Sequence, residues 1–347
     1  MHDPQAPTPT PSATRPADTP PPPPVAPQAY VIPAPSPTPA PPVLHKPTTA
    51  EIAQNKADND KGIVHGTEPR APRTANKIED MLPEKPVAKD GVVELGNLRV
   101  QADKYPEFRE ALLHESKGPH PDTPSIVERL EKGPNKTTVT MNEVAKNQMD
   151  PQKDGSAVVH WDPKHMHIAS NDAKRSPATR LAHELDHADE WTHDPQRLLL
   201  NANTKDPKFG NLEEKRVITG SERRNVKELG EGQREDHEHG KGDFETKSVT
   251  SIEPVLHQTR GGVTTELKDG YSQSGKLSMD DKNVYQEIGR GEKVAYPREE
   301  FQGMVGGKKA LEQAVASDKP FNVQVSGNEF KMAEAHTQSR EVQQNVR

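Results

Sequence analysis

The chain has 347 residues, of which 30% are hydrophobic and 4% aromatic, with no cysteine and a formal net charge of -7. The lack of cysteine excludes disulfides, thiol catalysis and cysteine-ligated zinc, and it fits folding in a reducing cytoplasm. Because Lys and Arg are interspersed with Glu and form no long basic stripe, nucleic acid is not a favoured partner. No stretch approaches about 18 apolar residues, so the sequence predicts no membrane span.

Proline dominates the beginning of the chain, where 18 of the 35 prolines fall within the first 50 residues. Such a segment buries too little apolar surface to offset its ordering entropy, so Met1 to about Pro47 is predicted to be a disordered arm. From Thr48 to Lys89 the sequence stays polar, and we interpret it as a weakly ordered connector with short helical possibilities. The first four residues lack the basic and apolar segments of a Sec signal, so export would require a specialised system.

Short elements of both kinds are predicted in the middle of the chain, as expected for an α+β domain. Apolar spacing and proline positions indicate helices, and β-branched runs indicate strands. The expected elements are a strand at 91–95, helices at 105–114 and 124–130, and strands at 137–140 and 156–161. The run His165–Ala169 is expected to pair with the last of these strands.

The longest predicted helix follows Ser176, a good N-cap residue, with Pro177 at the first helical position. Leu181, Leu185 and Ala188 give this helix one apolar face. It is expected to end before His193-Asp194-Pro195, because the residue ahead of a proline disfavours helical geometry.

Helices at 213–217 and 222–229 and a loop over 230–242 are expected next. The last hundred residues differ in character, because turn signals at Gly261-Gly262 and Asp269-Gly270 separate short β-like runs. A helix at 308–316 and a polar helix from about Glu329 complete the expectation. We therefore divide the chain into the arm and connector (1–90), an α+β domain (91–252) and a small β-rich C-terminal module (253–347).

The chemistry is concentrated in His183-Glu184-Leu185-Asp186-His187. Histidines at positions i and i+4 of a helix share one face and can ligate one zinc ion. Glu184 can reach a water in the open coordination position and act as the general base of peptide hydrolysis. The pentapeptide alone is only suggestive, but its place in the best predicted helix, after strands, favours a zinc peptidase.

A peptidase zinc needs a third protein ligand, and several residues qualify. His193 lies six residues after His187, the spacing found in metzincins, although Glu190 replaces the glycine with which those enzymes turn the chain. We favour His193. The alternatives are Glu213 or Glu214 on the next helix, as in thermolysin-like enzymes, and the neighbouring Asp194.

An oxyanion donor outside the metal shell is also expected in such an enzyme. His237 is our choice, although it and His239 could equally be solvated loop histidines. His160, His165 and His167 alternate along the chain and are interpreted as structural or surface residues.

Several spaced motifs together resemble the bacterial effector zinc metallopeptidases, the Nle-type proteins that pathogens inject into host cells. They span about Tyr105 to Ser251 and comprise Trp161-Asp162-Pro163, Leu181–Ala188, Glu213–Ile218, Gly220, Glu222, Leu229-Gly230 and Arg234–His237. In that family an Asp can stand where this chain has His193, and a Tyr stands where this chain has His237. Toxins fired between competing bacteria carry similar domains.

The resemblance implies a zincin-like domain that cleaves a protein of a host or rival cell. It also implies delivery by a specialised, non-Sec secretion system, with secretion machinery or a chaperone as partner. The alternative is a zincin-like binding or structural protein of a secretion system that has lost activity. The intact Glu184 favours the enzyme.

Overall fold

A computed structural model describes residues 44–69, 77–117, 122–142, 146–237 and 240–335. The predicted arm therefore lies outside the described residues up to residue 43. Helices and sheets alternate through the described residues, so the protein has a mixed α+β architecture, as predicted. No helix within these ranges is both long and apolar enough to cross a membrane.

The first sheet has six strands in the order β1-β2-β3-β4-β6-β5. These strands are β1 (Ala88–Lys89), β2 (Val92–Leu95), β3 (Leu98–Gln101), β4 (Thr137–Met141), β5 (Gln148–Pro151) and β6 (Ala157–Trp161). β4 runs parallel to both β3 and β6, whereas the outer pairs are antiparallel. The predicted strands at 91–95, 137–140 and 156–161 are confirmed as β2, β4 and β6.

Eight helices belong to this part of the described chain. They are α1 (Thr49–Asp60), α2 (Ile78–Met81), α3 (Tyr105–Glu115), α4 (Thr123–Lys132), α5 (Pro177–His193), α6 (Pro195–Asn203), α7 (Leu212–Val217) and α8 (Arg223–Leu229). A π-helical turn at Ile218–Glu222 joins α7 to α8. One hydrophobic core collects side chains of the first sheet and of α3, α4 and α5, and Trp161 in β6 donates its indole N–H to the Pro177 carbonyl at 2.8 Å.

The stretch predicted to be a weakly ordered connector is instead built into this unit where the structure describes it. Thr48 and Glu51 form a reciprocal capping box that starts α1. On the same helix Asn55 is buried and donates to Asn201 of α6 at 3.0 Å. Leu82, just after α2, is fully buried in the core. The polar composition of this segment did not indicate these contacts, because hydrogen bonds rather than apolar side chains anchor α1.

Strand β7 (His165–Ala169) does not pair with β6, so that prediction was wrong. It lies between β8 (Lys174–Arg175) and β11 (Gly240–Glu245) in a separate three-stranded sheet. β11 also begins inside the loop predicted for 230–242. Two further short strands, β9 (Lys205–Asp206) and β10 (Gly210–Asn211), form a hairpin ahead of α7.

The C-terminal residues form a seven-stranded antiparallel sheet in the order β13-β12-β16-β15-β14-β17-β18. Its elements are β12 (His257–Arg260), β13 (Val263–Glu266), β14 (Ser272–Met279), β15 (Asn283–Gly289), β16 (Glu292–Pro297), α9 (Arg298–Met304), α10 (Gly307–Ala316), β17 (Pro320–Val325) and β18 (Phe330–Glu334). A second hydrophobic core, from Leu256 to Phe330, is formed by this sheet with α9 and α10, and it is separate from the first core, which extends to Val249.

The predicted helix at 308–316 is confirmed as α10, but the helix predicted from about Glu329 is wrong as far as residue 335, and the rest of that prediction lies outside the described residues. Residues 330–334 form β18, which pairs with β17 and buries Phe330 completely. The apolar residues Phe330 and Met332 alternate with Lys331, a strand pattern that the polar surroundings masked.

Candidate metal centre

Helix α5 presents two histidines side by side in the interior of the protein. The Ser176 side chain accepts a hydrogen bond from the Thr179 amide at 3.2 Å, and Pro177 occupies the first turn, as predicted. His183 and His187 fall one turn apart, and 7% and 5% of their surfaces are exposed. Their Nε2 atoms lie 3.1 Å apart and face each other. This convergence is the first requirement for a shared metal ion.

Helix α7 brings a carboxylate to the same point. The Asn211 side chain caps α7 by accepting from the Glu214 amide at 3.0 Å. One carboxylate oxygen of Glu214 then lies 3.1 Å from His183 Nε2, and the other lies 3.5 Å from His187 Nε2. Donor atoms of His183, His187 and Glu214 all fall within 4.8 Å of one another, so these three residues could hold a metal ion.

The opposite nitrogen of each imidazole is held by a buried carboxylate. His183 Nδ1 lies 2.8 Å from Glu222, and His187 Nδ1 lies 2.9 Å from Glu213. A carboxylate accepts the Nδ1–H and leaves the Nε2 lone pair available for a metal, while it also fixes the orientation of the ring. The π-helical turn after α7 places Glu222 here, at a bend where Gly220 departs from helical geometry.

Buried arginines keep these carboxylates in place. Arg234 donates to both oxygens of Glu222, at 2.8 and 2.7 Å, and Arg175 approaches the same carboxylate at 3.3 Å. The second Nη atom of Arg234 also lies 3.1 Å from His183 Nδ1. On the other side, Arg216 donates to Glu213 at 2.7 Å and to Asp186 at 2.8 Å. Arg216 is almost fully buried, so this network is desolvated.

The charges in the centre are strongly coupled. Burial lowers the pKa of His183 and His187, but the nearby carboxylates outweigh it, so the pKa of each imidazole is raised, that of His187 strongly. Burial raises the pKa of Glu214, yet His187 and His183 hold that pKa well below its ordinary value. Among the described residues, the ion-pair partners of Glu214 are imidazoles. Because a bound cation would stabilise its carboxylate in the same way, the donor set fits a metal ion.

Glu184 borders a small cavity beside these histidines. The cavity has a volume of about 170 Å³, and its walls include Asn147, His167, Arg180, His183, His237 and Asp243. Only 8% of Glu184 is exposed, and burial raises the pKa of its carboxyl group. A carboxylate with a raised pKa is a better proton acceptor, which suits the predicted general base.

The structure does not bring His193, the favoured third ligand, to the histidine pair. α5 continues through His193, because the glycine that would turn the chain is absent and Glu190 stays helical. Six further residues advance a helix by about 9 Å, and the ring of His193 lies instead 3.1 Å from Asp189. Asp194 begins α6 by capping Arg197. Of the alternatives weighed, Glu214 lies within 3.5 Å of both Nε2 atoms, and Glu213 lies 2.9 Å from His187 Nδ1.

His237 does reach the centre, with its Nε2 atom 3.3 Å from Glu214. It also lines the cavity beside Glu184, as an oxyanion donor would. His239 lies outside the described residues. The geometry is compatible with the predicted role of His237.

His167 was interpreted as a structural residue, but its ring lines the cavity. Its Nδ1 lies 2.8 Å from Asp243, and Arg180 lies 2.9 Å from the same carboxylate. Burial lowers the pKa of His167 to about 4, so the ring is neutral at physiological pH. The sequence feature that could have indicated this position is its place on a strand two residues after another histidine, and that feature alone is weak.

Comparison of the chain with protein families, curated proteins and solved structures found no match.

Proposed function

We propose that this protein is a zinc-dependent endopeptidase. The observation that carries the proposal is the convergence of His183, His187 and Glu214 on one point, with Glu184 at the edge of the adjoining cavity. Two imidazoles and one carboxylate are the protein ligands of thermolysin-type zinc peptidases, which keep one further position open. The spacing of the motif and the donor set therefore support the same reaction class.

Zinc is favoured over other common divalent ions by the chemistry of the donors. Imidazole nitrogens suit zinc, whereas calcium and magnesium prefer sites made only of oxygen. When bound, zinc would supply Lewis-acid chemistry for the hydrolysis of a carbonyl group. Glu213 and Glu222 would hold each ring in the orientation and tautomer that exposes Nε2.

The residues around the cavity would have separate roles in the reaction. Glu184 would accept a proton from the attacking water and return it to the leaving amine, as a buried carboxylate can. His237 would donate a hydrogen bond to the oxygen of the scissile carbonyl. Arg180 and Asp243 would hold His167 at the wall of the cavity.

The zincin-like fold and the effector role are parts of the same proposal. A mixed sheet packed on a buried helix that carries His-Glu-x-x-His supports a zincin-like domain. Delivery into a target cell by a specialised secretion system, and a protein of that cell as substrate, rest on the resemblance of residues 105–251.

The proposal is tested by measuring zinc content and proteolysis on the same preparations. Wild-type protein, His187→Ala, Glu184→Gln and the control His193→Gln are dialysed against zinc and analysed by mass spectrometry of the metal. A proteome-derived peptide library then reports cleavage without assuming a substrate.

We expect His187→Ala to lose one zinc equivalent and all cleavage. Glu184→Gln should keep its zinc and cleave at least about 100-fold more slowly. His193→Gln should match the wild type in both readouts. If the wild type binds zinc and cleaves no peptide, the alternative of an inactive binding protein is correct. If folded His187→Ala keeps the full zinc content, the metal centre itself is refuted.

A further inference from the structure

A second histidine–glutamate cluster lies beside the first turn of α5, the helix that also carries His183 and His187. His114 and Glu115 end α3, and Glu231 follows α8. One donor atom from each of the three residues falls within 4.8 Å of the others. None of these residues takes part in the proposed proteolysis.

The two carboxylates are held close together by the first turn of α5. The Thr179 hydroxyl lies 2.8 Å from Glu115 and 2.7 Å from Glu231. Asn225 donates to Glu115 at 3.2 Å, and the Ser176 amide donates to the Glu231 oxygen that faces Thr179, at 3.1 Å. A hydroxyl carries a single hydrogen, so it can donate to only one of the two carboxylates. The two carboxylates therefore share one hydroxyl hydrogen, and a proton or a cation between them would offset their mutual repulsion.

Two polar atoms of the cluster point at each other without a hydrogen bond. The Glu231 side chain is only 3% exposed, and its Oε1 has no hydrogen-bond partner among the described residues. His114 Nε2 is also buried and makes no hydrogen bond within the described chain, although it lies within ion-pair distance of that oxygen, at 3.5 Å. A buried acceptor without a partner costs about 1–3 kcal/mol, so its persistence points to a ligand.

We propose that His114, Glu115 and Glu231 form a second metal site, for a divalent transition-metal ion such as zinc. One imidazole and two carboxylates provide a mixed nitrogen and oxygen donor set, which zinc and manganese accept and calcium disfavours. The ion would satisfy Glu231 Oε1 and His114 Nε2 and would neutralise the paired carboxylates. Lys117, which approaches His114 Nδ1 at 3.4 Å, is exposed and can turn toward solvent.

The site would act as a structural clamp. Its ligands come from the end of α3 and the chain after α8, and through Thr179 and Ser176 they contact the first turn of α5. The negative end of the α3 dipole favours a cation beside His114 and Glu115. Binding there would fix the start of the helix that carries His183 and His187, so the thermal midpoint should rise with metal.

The test counts zinc equivalents in full-length variants that separate the two sites. After dialysis against zinc we expect two equivalents in the wild type, one in His187→Ala, one in His114→Gln and one in Glu231→Gln. His45→Gln is the matched control, because His45 pairs with Glu51 at 3.2 Å on the surface, and it should keep two. Zinc should raise the melting temperature of His187→Ala, but not that of His187→Ala combined with His114→Gln.

The proposal is overturned if His187→Ala binds no zinc, or if folded His114→Gln and Glu231→Gln both keep the wild-type content. A proton would then hold the carboxylate pair, in line with the burial that raises the pKa of Glu115 to about 8. If both variants fail to fold, zinc K-edge absorption of His183→Ala combined with His187→Ala decides, because both imidazoles of the first site are then absent. One imidazole per zinc supports the site, and any other number refutes it.

Discussion

Carboxylates in two regions of this protein have pKa values shifted in opposite directions. At the metal centre, burial raises the pKa of Glu213, but Arg216 and His187 bring it down to about 2. At the contact between the C-terminal module and β11, burial raises the pKa of Glu300 to about 7, and its neighbour Glu245 adds to the rise. Burial alone thus favours a neutral carboxyl group, and an adjacent guanidinium reverses the outcome.

The difference bears directly on function. An ionised carboxylate accepts the Nδ1–H of an imidazole and leaves its Nε2 available for a metal, and Glu213 and Glu222 lie where they would do this in the proposed centre. Glu300 lies on α9, where Gly303 packs so tightly on Lys241 of β11 that a side chain would clash. One Glu300 oxygen is buried with no hydrogen-bond partner among the described residues. The Glu300 carboxylate therefore destabilises the folded protein.

The largest effect is expected from removing the cation that balances the buried carboxylates of the candidate metal centre. Arg216→Met should lower the free energy of unfolding by about 3–5 kcal/mol, because Glu213 and Asp186 would remain buried without the guanidinium that balances their charge. Urea denaturation checks this. The control Arg260→Met breaks an exposed ion pair with Glu292 and should cost no more than about 1 kcal/mol. Equal losses in the two variants would contradict the account.

A smaller effect is expected from Glu222→Gln, which weakens the support of His183. Zinc affinity at the first site should fall about 10–100-fold, or about 1.4–2.7 kcal/mol, because the ring loses its charged acceptor. Competition with a chromophoric chelator measures this, with circular dichroism as the check on folding. Unchanged affinity in folded protein would show that Glu222 does not orient the ligand.

The smallest effect is expected at the contact between the C-terminal module and β11, where Glu300 lies. Since the pKa of Glu300 is raised in the folded protein, its contribution to stability is complete below about pH 4.5 and is lost as the pH rises to about 7. The free energy of unfolding of Glu300→Gln, relative to that of the wild type, should therefore rise by about 1–2 kcal/mol between pH 5 and 8.

Thermal melts across this range, with the exposed Glu312→Gln on α10 as control, check the prediction. His165, whose pKa is raised mainly by its hydrogen bond with Asp162, also faces this contact, so the difference between variants is the quantity to compare. A constant difference across the range would refute the assignment to Glu300.

Much of the local structure around α5 could be predicted from sequence. Ser176 and Pro177 marked its start, and the repeat of Leu181 and Leu185 marked its buried face. The i and i+4 spacing placed His183 and His187 together. These features are local, so the pattern contains the information needed to find them.

The rest of the centre depends on contacts between distant segments. The choice of Glu214 over His193 was decided by whether α5 turns or continues, and by how α7 docks against it. Glu222 and Arg234 formed part of the recognised pattern, but no role followed from it, because the π-helical turn that places Glu222 has no sequence signature here. Strand partners such as that of β7 are equally non-local.

The most direct test of the central claim is diffraction from zinc-loaded crystals at the zinc absorption edge. We expect an anomalous peak about 2.0–2.2 Å from His183 Nε2, His187 Nε2 and a carboxylate oxygen of Glu214, with His193 elsewhere. A peak coordinated by His193 in place of Glu214, or no peak at the histidine pair, would contradict it.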